Sequence, residues 1–141
     1  MTAAFFMNQP VIEVAAALIF RHSKLLIAQR PPGVHLAGLW EFPGGKRESG
    51  ETFETCLQRE IREELDCDIR VGDQVFQTKH DYPGKSIDIR FYQCQLHQGE
   101  PKPVECAAVE WISVAQLRDF EFPKADEKLL DLLISRTDLW C

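Results

Sequence analysis

Residues 52–66, Thr52-Phe53-Glu54-Thr55-Cys56-Leu57-Gln58-Arg59-Glu60-Ile61-Arg62-Glu63-Glu64-Leu65-Asp66, decide how the rest of the chain is read. Phe53, Leu57, Ile61 and Leu65 recur every four residues, the spacing that lays one apolar stripe along an α-helix, and Thr52 before them is a helix-capping type. With Glu60 at zero and about 100° per residue, the four fall at about 20, 60, 100 and 140°. Glu64 falls at about 40°, inside the stripe, with Glu60 on its edge and Glu63 about 60° beyond it. Three carboxylates therefore converge beside a face that must be buried.

A solvated acidic face is the ordinary reading of a Glu-rich helix, and it fits badly here. Glu60 and Glu64 repel at i,i+4, and Glu63, Glu64 and Asp66 crowd a C-terminal turn where the helix dipole disfavours negative charge. Each penalty is a few tenths of a kcal/mol in water (roughly) and grows with desolvation. Arg59 and Arg62 project at about 260 and 200°, away from the Glu60–Glu64 pair. A hard divalent cation resolves the conflict, since Mg²⁺ takes oxygen ligands and works from a few carboxylates together with substrate phosphates.

Outward from the helix, Val11–Phe20 and Lys24–Gln29 are apolar, β-competent runs that predict two paired strands. Ile69–Gln77, Ile87–Leu96 and Ala107–Ile112 predict three more, with Tyr82-Pro83-Gly84 turning between the first two. Val114–Leu117 reads as a short helix and Ala125–Ile134 as a longer, Leu-rich one. Pro43-Gly44-Gly45 reads as a turn in which glycine supplies conformations closed to other residues. The expected organisation is a flexible tail over residues 1–10, one domain of sheet and helices over 11–135, and a C-terminal tail over 136–141.

The 141 residues carry 22 acidic and 16 basic side chains, a net charge of −6. That balance argues against a stable hold on long nucleic acid, which requires clustered Lys and Arg. Five cysteines, an odd number without CxxC spacing, fit neither a disulfide framework nor a zinc site and predict reduced thiols in a cytoplasmic protein. The apolar run Val14–Phe20 is too short to span a bilayer, so no membrane partner is expected. A monomer and a homodimer are both compatible with the sequence.

Gly45, Glu51, Arg59, Glu60, Ile61, Glu63 and Glu64 stand in the pattern G-x5-E-x7-R-E-U-x-E-E, which resembles the Nudix box. Gly38–Lys46 (GLWEFPGGK) and Phe122–Asp126 (FPKAD) resemble the corresponding segments of MutT-type members of that superfamily. The resemblance implies an α/β fold, an α/β/α sandwich with a mixed β-sheet between helices. It also implies hydrolysis of (deoxy)nucleoside triphosphates to monophosphate and pyrophosphate, as in enzymes that clear 8-oxo-dGTP from the nucleotide pool. One departure stands out: Asp66 and Cys67 replace the Gly and apolar residue that usually end the box; Gly would supply a left-handed helix end, a conformation Asp tolerates at some cost to local stability.

By the same resemblance Glu60, Glu63 and Glu64, the Gly44 carbonyl and Glu105 would hold Mg²⁺ (or Mn²⁺). Glu60 is favoured as the base, and Glu51 with Arg59 would orient the box. For Glu105 the metal reading is favoured over that of an exposed loop carboxylate, and Arg30 and Lys46 read as phosphate contacts or solvated cations. Glu41, within the GLWEFPGGK segment, is a further candidate for substrate binding. Asp126 stands where enzymes favouring 8-oxo-dGTP carry Asn. Ionised, it can only accept hydrogen bonds, which suits the amino group of a cytidine-type base, yet it could equally cap the Leu-rich helix. Tyr82 and Lys85 are candidates for base contact or members of an exposed turn. A cytidine or 5-substituted cytidine triphosphate is the alternative substrate, and a silent nucleotide-binding domain the remote one.

Overall fold

A computed structural model describes residues 9–141. Its sheet has seven strands: β1 (Val11–Arg21), β2 (Lys24–Gln29), β3 (Trp40–Glu41), β4 (Gly44–Lys46), β5 (Asp68–Tyr82), β6 (Lys85–Gln98) and β7 (Ala108–Ile112). The order is β3-β2-β1-β6-β5, with β4 paired to β1 and β7 to β2. Only β1 and β6 run parallel. The two long helices are α1 (Phe53–Leu65) and α2 (Glu127–Ser135), on opposite faces of the sheet.

The layering follows from the period-2 alternation of β1, whose residues 15–20 are all buried. Ala15, Ala17 and Ile19 meet the α1 stripe of Leu57, Ile61 and Leu65. Ala16, Leu18 and Phe20 meet Leu129, Leu130 and Leu133 of α2. A strand buried on both faces is the signature of a central strand between helical layers. The expected sandwich is thus the observed one, and no helix among the described residues is long and apolar enough to cross a membrane.

Helix α1 forms as its sequence requires. Thr52 Oγ1 accepts from the Thr55 amide at 3.1 Å while Thr55 Oγ1 accepts from the Thr52 amide at 3.0 Å, a reciprocal cap worth about 1 kcal/mol. The helix stops at Asp66, which takes φ 53° and ψ 44° and donates its backbone N–H to the Arg62 carbonyl. The left-handed end is therefore built with Asp in place of Gly.

Three expectations need correction. Gly44 and Gly45 are not a turn but strand β4, and neither is among the positive-φ residues. A Cβ on Gly44 would lie 2.0 Å from the Ala15 carbonyl, and one on Gly45 2.3 Å from the Glu60 carboxylate, so glycine is required by close approach. Residues 136–141 are not a tail, because Leu139 and Trp140 are buried. The Trp140 indole N–H donates to the Leu133 carbonyl at 2.9 Å and its ring meets Phe20 edge-on at 5.3 Å. Of the tail expected over 1–10, residues 1–8 lie outside the described residues. Gln9 donates to the Tyr82 carbonyl at 2.8 Å and Pro10 accepts from the Ser86 amide at 2.8 Å.

Strands β5 and β6 also run longer than their apolar segments, pairing up to Tyr82↔Lys85 across Pro83-Gly84. Polar residues fill the exposed positions of their outer ends, so hydrophobic alternation stops before the ladder does.

Candidate active site

Strand β4 brings Gly44 and Gly45 against the inner flank of α1, where the glycines leave room for two carboxylates. The Gly44 amide donates to Glu64 Oε2 at 3.1 Å, and the Glu60 carboxylate packs on Gly45. Arg59 ties the outer part of the site together. Its Nε and Nη2 donate to Glu51 at 2.6 and 2.9 Å, its Nη1 to Glu60 at 2.8 Å and Glu63 at 3.3 Å, and its Nη2 to the Lys46 carbonyl at 3.1 Å. The two-pronged bond to Glu51 uses the planar guanidinium fork. It holds the Glu51 carboxyl down at about 2. The helical-wheel angle had turned Arg59 away from Glu60. Its long side chain crosses that angle, so Arg59 does neutralise Glu60, and Glu64 is the carboxylate it leaves uncompensated.

Burial, with the charges of Glu60 and Glu41, pushes the Glu64 carboxyl up to about 8 despite the Gly44 amide. Glu60 is raised too, chiefly by burial and against the pull of Arg59. The charge of Glu105 acts on both. Its loop is fastened to the end of α1: the amides of Val104 and Glu105 donate to the Glu64 carbonyl at 3.1 and 3.2 Å, and Lys102 to the Leu65 carbonyl at 2.8 Å. An uncompensated group of hard oxygen donors is the chemistry that a divalent cation fits. Among the described residues no three of them already stand close enough to form a coordination shell. Glu63 faces Arg59 and is half exposed.

From Gly44, Gly45 and Glu64 a cleft of about 380 Å³ runs over the α2 side of the sheet to Asp126. Its floor is apolar, formed by Val14, Ile87, Ile89 and Phe91, and Glu41, Arg30, His35, His80 and Tyr82 stand in its walls. Asp126 begins α2, yet its side chain makes no capping hydrogen bond. Burial, and secondarily the charge of Glu41, pushes its carboxyl up to about 6. Arg30 is not a free cation: it donates to Glu41 at 2.8 Å and to the His35 carbonyl at 2.7 Å.

The structure thus brings Gly44, Glu41, Glu64, Arg30, Tyr82 and Asp126 to one cleft, while Glu60, Glu51, Arg59 and Glu63, tied together beside it, do not line it. Lys46 and Lys85 do not line it. Sequence reasoning missed His80, His35 and the aromatic stack of Phe42 on Phe122, whose rings lie 5.2 Å apart at 15°. Alternation along β5 carries a signal for His80, which shares a face with Phe76 and Tyr82, but the strand expected from the apolar run ends at Gln77, before it.

The sequence matches the family model of the NUDIX domain over residues 15–132. It is 36% identical to the CTP pyrophosphohydrolase of Escherichia coli (strain K12), over 89% of this chain and 93% of that protein. It is 33% identical to the 8-oxo-dGTP diphosphatase of Haemophilus influenzae, over 93% and 97%. Among solved structures, the solution structure of the E. coli ORF135 protein superposes with a TM-score of 0.82 at 35% identity, covering 92% of each chain. The MutT protein of methicillin-resistant Staphylococcus aureus 252 superposes at 0.74 and 38% identity, over 90% and 98%. With the box on α1, the glycine strand against it and these relatives, the chain belongs to the Nudix hydrolases, among their MutT-type members.

Proposed function

We propose that this hydrolase splits (deoxy)nucleoside triphosphates into nucleoside monophosphate and pyrophosphate with Mg²⁺, and that Mn²⁺ can replace it. The observation that carries the proposal is the uncompensated Glu64 carboxylate beside Glu60, at one end of a cleft of about 380 Å³ that also holds Asp126. Glu60, Glu63, Glu64, Glu105 and the Gly44 carbonyl are the donors that would hold the metal. When bound, the metal lowers the pKa of water and neutralises charge on the polyphosphate.

The chain's own residues supply the rest. Glu60 accepts the proton of the attacking water, with Arg59 fixing its Oε1. Glu51 holds the other side of Arg59, so loop and helix keep one relative position. Glu41 and the arginine bound to it, Arg30, border the nucleotide, while Lys46 and Lys85 stand outside the cleft. Tyr82 offers a ring at its mouth.

For the base, two readings follow from the site and the named relatives. Clearance of oxidised nucleotides of the 8-oxo-dGTP type, which protects DNA from their incorporation, is the first. The uncapped Asp126 carboxylate favours the second, a cytidine-type triphosphate whose amino group donates to it. A cytoplasmic setting agrees with five cysteines that are all free thiols. A screen of nucleoside triphosphates with Mg²⁺, following monophosphate and pyrophosphate, tests the activity. Release of neither product from any triphosphate overturns it.

A further inference from the structure

Arg47, Phe53 and Arg90 stand at none of the fixed positions of the box pattern, yet they meet where the box helix begins. Arg47 follows β4, and its amide donates to the Glu13 carbonyl of β1 at 2.8 Å. Its guanidinium spans two partners: Nη2 pairs with the Glu13 carboxylate, and Nη1 donates to the Glu51 main-chain carbonyl at 2.7 Å. It also lies 5.4 Å from the centre of the ring of Phe53, the first residue of α1. A second arginine reaches the same ring from the sheet. Arg90 of β6 lies 4.1 Å from the ring centre, and its Nη2 faces Asp88 at 3.4 Å. Asp88 is buried and accepts from Gln77 at 2.9 Å. Glu13 and Asp88 are register partners across β1 and β6. Each acid thus balances one arginine, so both guanidiniums lie over the ring without leaving an unpaired charge.

The consequence falls on Glu51. Its carbonyl is held by Arg47, its amide donates to the Glu48 carbonyl at 3.1 Å, and its carboxylate is gripped by Arg59, which also bonds Glu60. Two arginines therefore fix Glu51 at both ends, one tied to β1 and one on the helix. Arg59 is shared between Glu51 and Glu60, so a displacement of Glu51 is passed to Glu60. A small displacement of a reacting group is costly in rate.

We propose that Arg47 is a positioning residue for the reaction: it fixes the Glu51 main chain against β1, with Phe53 and Arg90 behind it, and so sets the orientation of Glu60 through Arg59. This rests on the reading of Glu60 as the base.

Two readouts test it, with Arg47→Met and Arg47→Lys beside the parent, at a temperature where circular dichroism shows all three folded. The first is kcat and KM of the Mg²⁺-loaded enzyme for the triphosphate it turns over fastest. Met keeps the stem and removes every donor, and kcat is expected to fall about tenfold with KM within about twofold of the parent. Lys keeps the charge beside Glu13 and should recover part of the loss. In an Arg59→Lys background, Arg47→Met should cost less than about twofold, because the path it acts through is already cut. The second readout is solvent exchange of the Arg59 Nε–H in metal-free protein, followed by NMR, which reports the Glu51–Arg59 bond whatever the substrate. Arg47→Met should speed it at least about fivefold. Unchanged exchange, a loss confined to KM, or losses that multiply in the double variant would each overturn the proposal. Faster exchange with unchanged kcat overturns it too; if Glu60→Gln then also leaves kcat intact, the reading of Glu60 as the base has failed with it.

Discussion

The two ends of the cleft are built on opposite plans. At the proposed catalytic end Arg59 makes five hydrogen bonds, and Glu51, Glu60, Glu63 and the Lys46 carbonyl are all fixed by it. These residues come from one stretch of about twenty, and one helix with its preceding loop positions them. At the base end Asp126, His80 and Tyr82 come from the start of α2 and the far end of β5. Among the described residues no side-chain bond to one another or to a neighbour holds the Asp126 carboxyl or His80 Nε2. A lattice of bonds fixes the groups proposed to handle the reaction, which must meet one geometry whatever the base. The Asp126 carboxyl, unbonded in the cleft, is available to a ligand, and substitution there should change what is bound more than how fast it reacts.

The sharpest way to break the contrast is Glu64→Gln. It removes a charge from the metal-binding group while keeping its shape, and kcat should fall by at least about 10³-fold. Unchanged turnover would remove the catalytic end from the account. The same substitution should have the opposite effect on stability. The Glu64 carboxyl titrates near 8 in the folded protein against an ordinary 4.5, so the native state holds its proton more tightly than the unfolded chain. Stability from this group is fully present below pH 4.5 and is lost as pH rises through 8. EDTA-treated protein should therefore melt lower at pH 9 than at pH 5. Glu64→Gln should recover about 2–4 kcal/mol at pH 9 and little at pH 5. Identical melting curves for parent and variant across that range would show that Glu64 is not desolvated.

Arg59→Lys tests the lattice itself. An ammonium cannot span Glu51 and Glu60 as the guanidinium does, so kcat should drop about 10²-fold with KM nearly constant. A change confined to KM would mean that Arg59 binds substrate instead of positioning Glu60.

The smallest effect belongs to the base end. With its carboxyl near 6, Asp126 is ionised at pH 8 and largely neutral at pH 5, where it gains a donor. The ratio of kcat/KM for cytidine over 8-oxoguanine triphosphate should fall by up to about tenfold between those values. Asp126→Asn, which always has a donor, should fix the ratio near its low-pH value. A ratio that ignores both pH and substitution would leave Asp126 without a role in base choice.

The same contrast explains what the sequence reveals. The α1 stripe, its Thr52 cap, its Asp66 stop and the crowding of Glu60 and Glu64 are all local, separated by three or four residues, and each is legible before any fold is known. The reach of Arg59 was not, because a helical wheel gives the direction of Cβ and not of a guanidinium several bonds beyond. Gly44 and Gly45 suggested a turn, since only the folded β1 and α1 show that space is what they supply. His80 became visible through strand register, and Leu139 and Trp140 through tertiary packing after the Leu-rich pattern had ended. Local conflicts of charge marked the catalytic end; nothing local marks groups whose only shared property is the cleft they face.

The most direct test is to incubate the enzyme with CTP and with 8-oxo-dGTP in Mg²⁺ and to resolve the products by anion exchange, with Glu64→Gln in parallel. Nucleoside monophosphate and pyrophosphate in equal amounts, from the parent and not from the variant, is the predicted result. Nucleoside diphosphate with inorganic phosphate, or full activity in Glu64→Gln, would contradict the assignment of the box helix as the centre of a pyrophosphohydrolase.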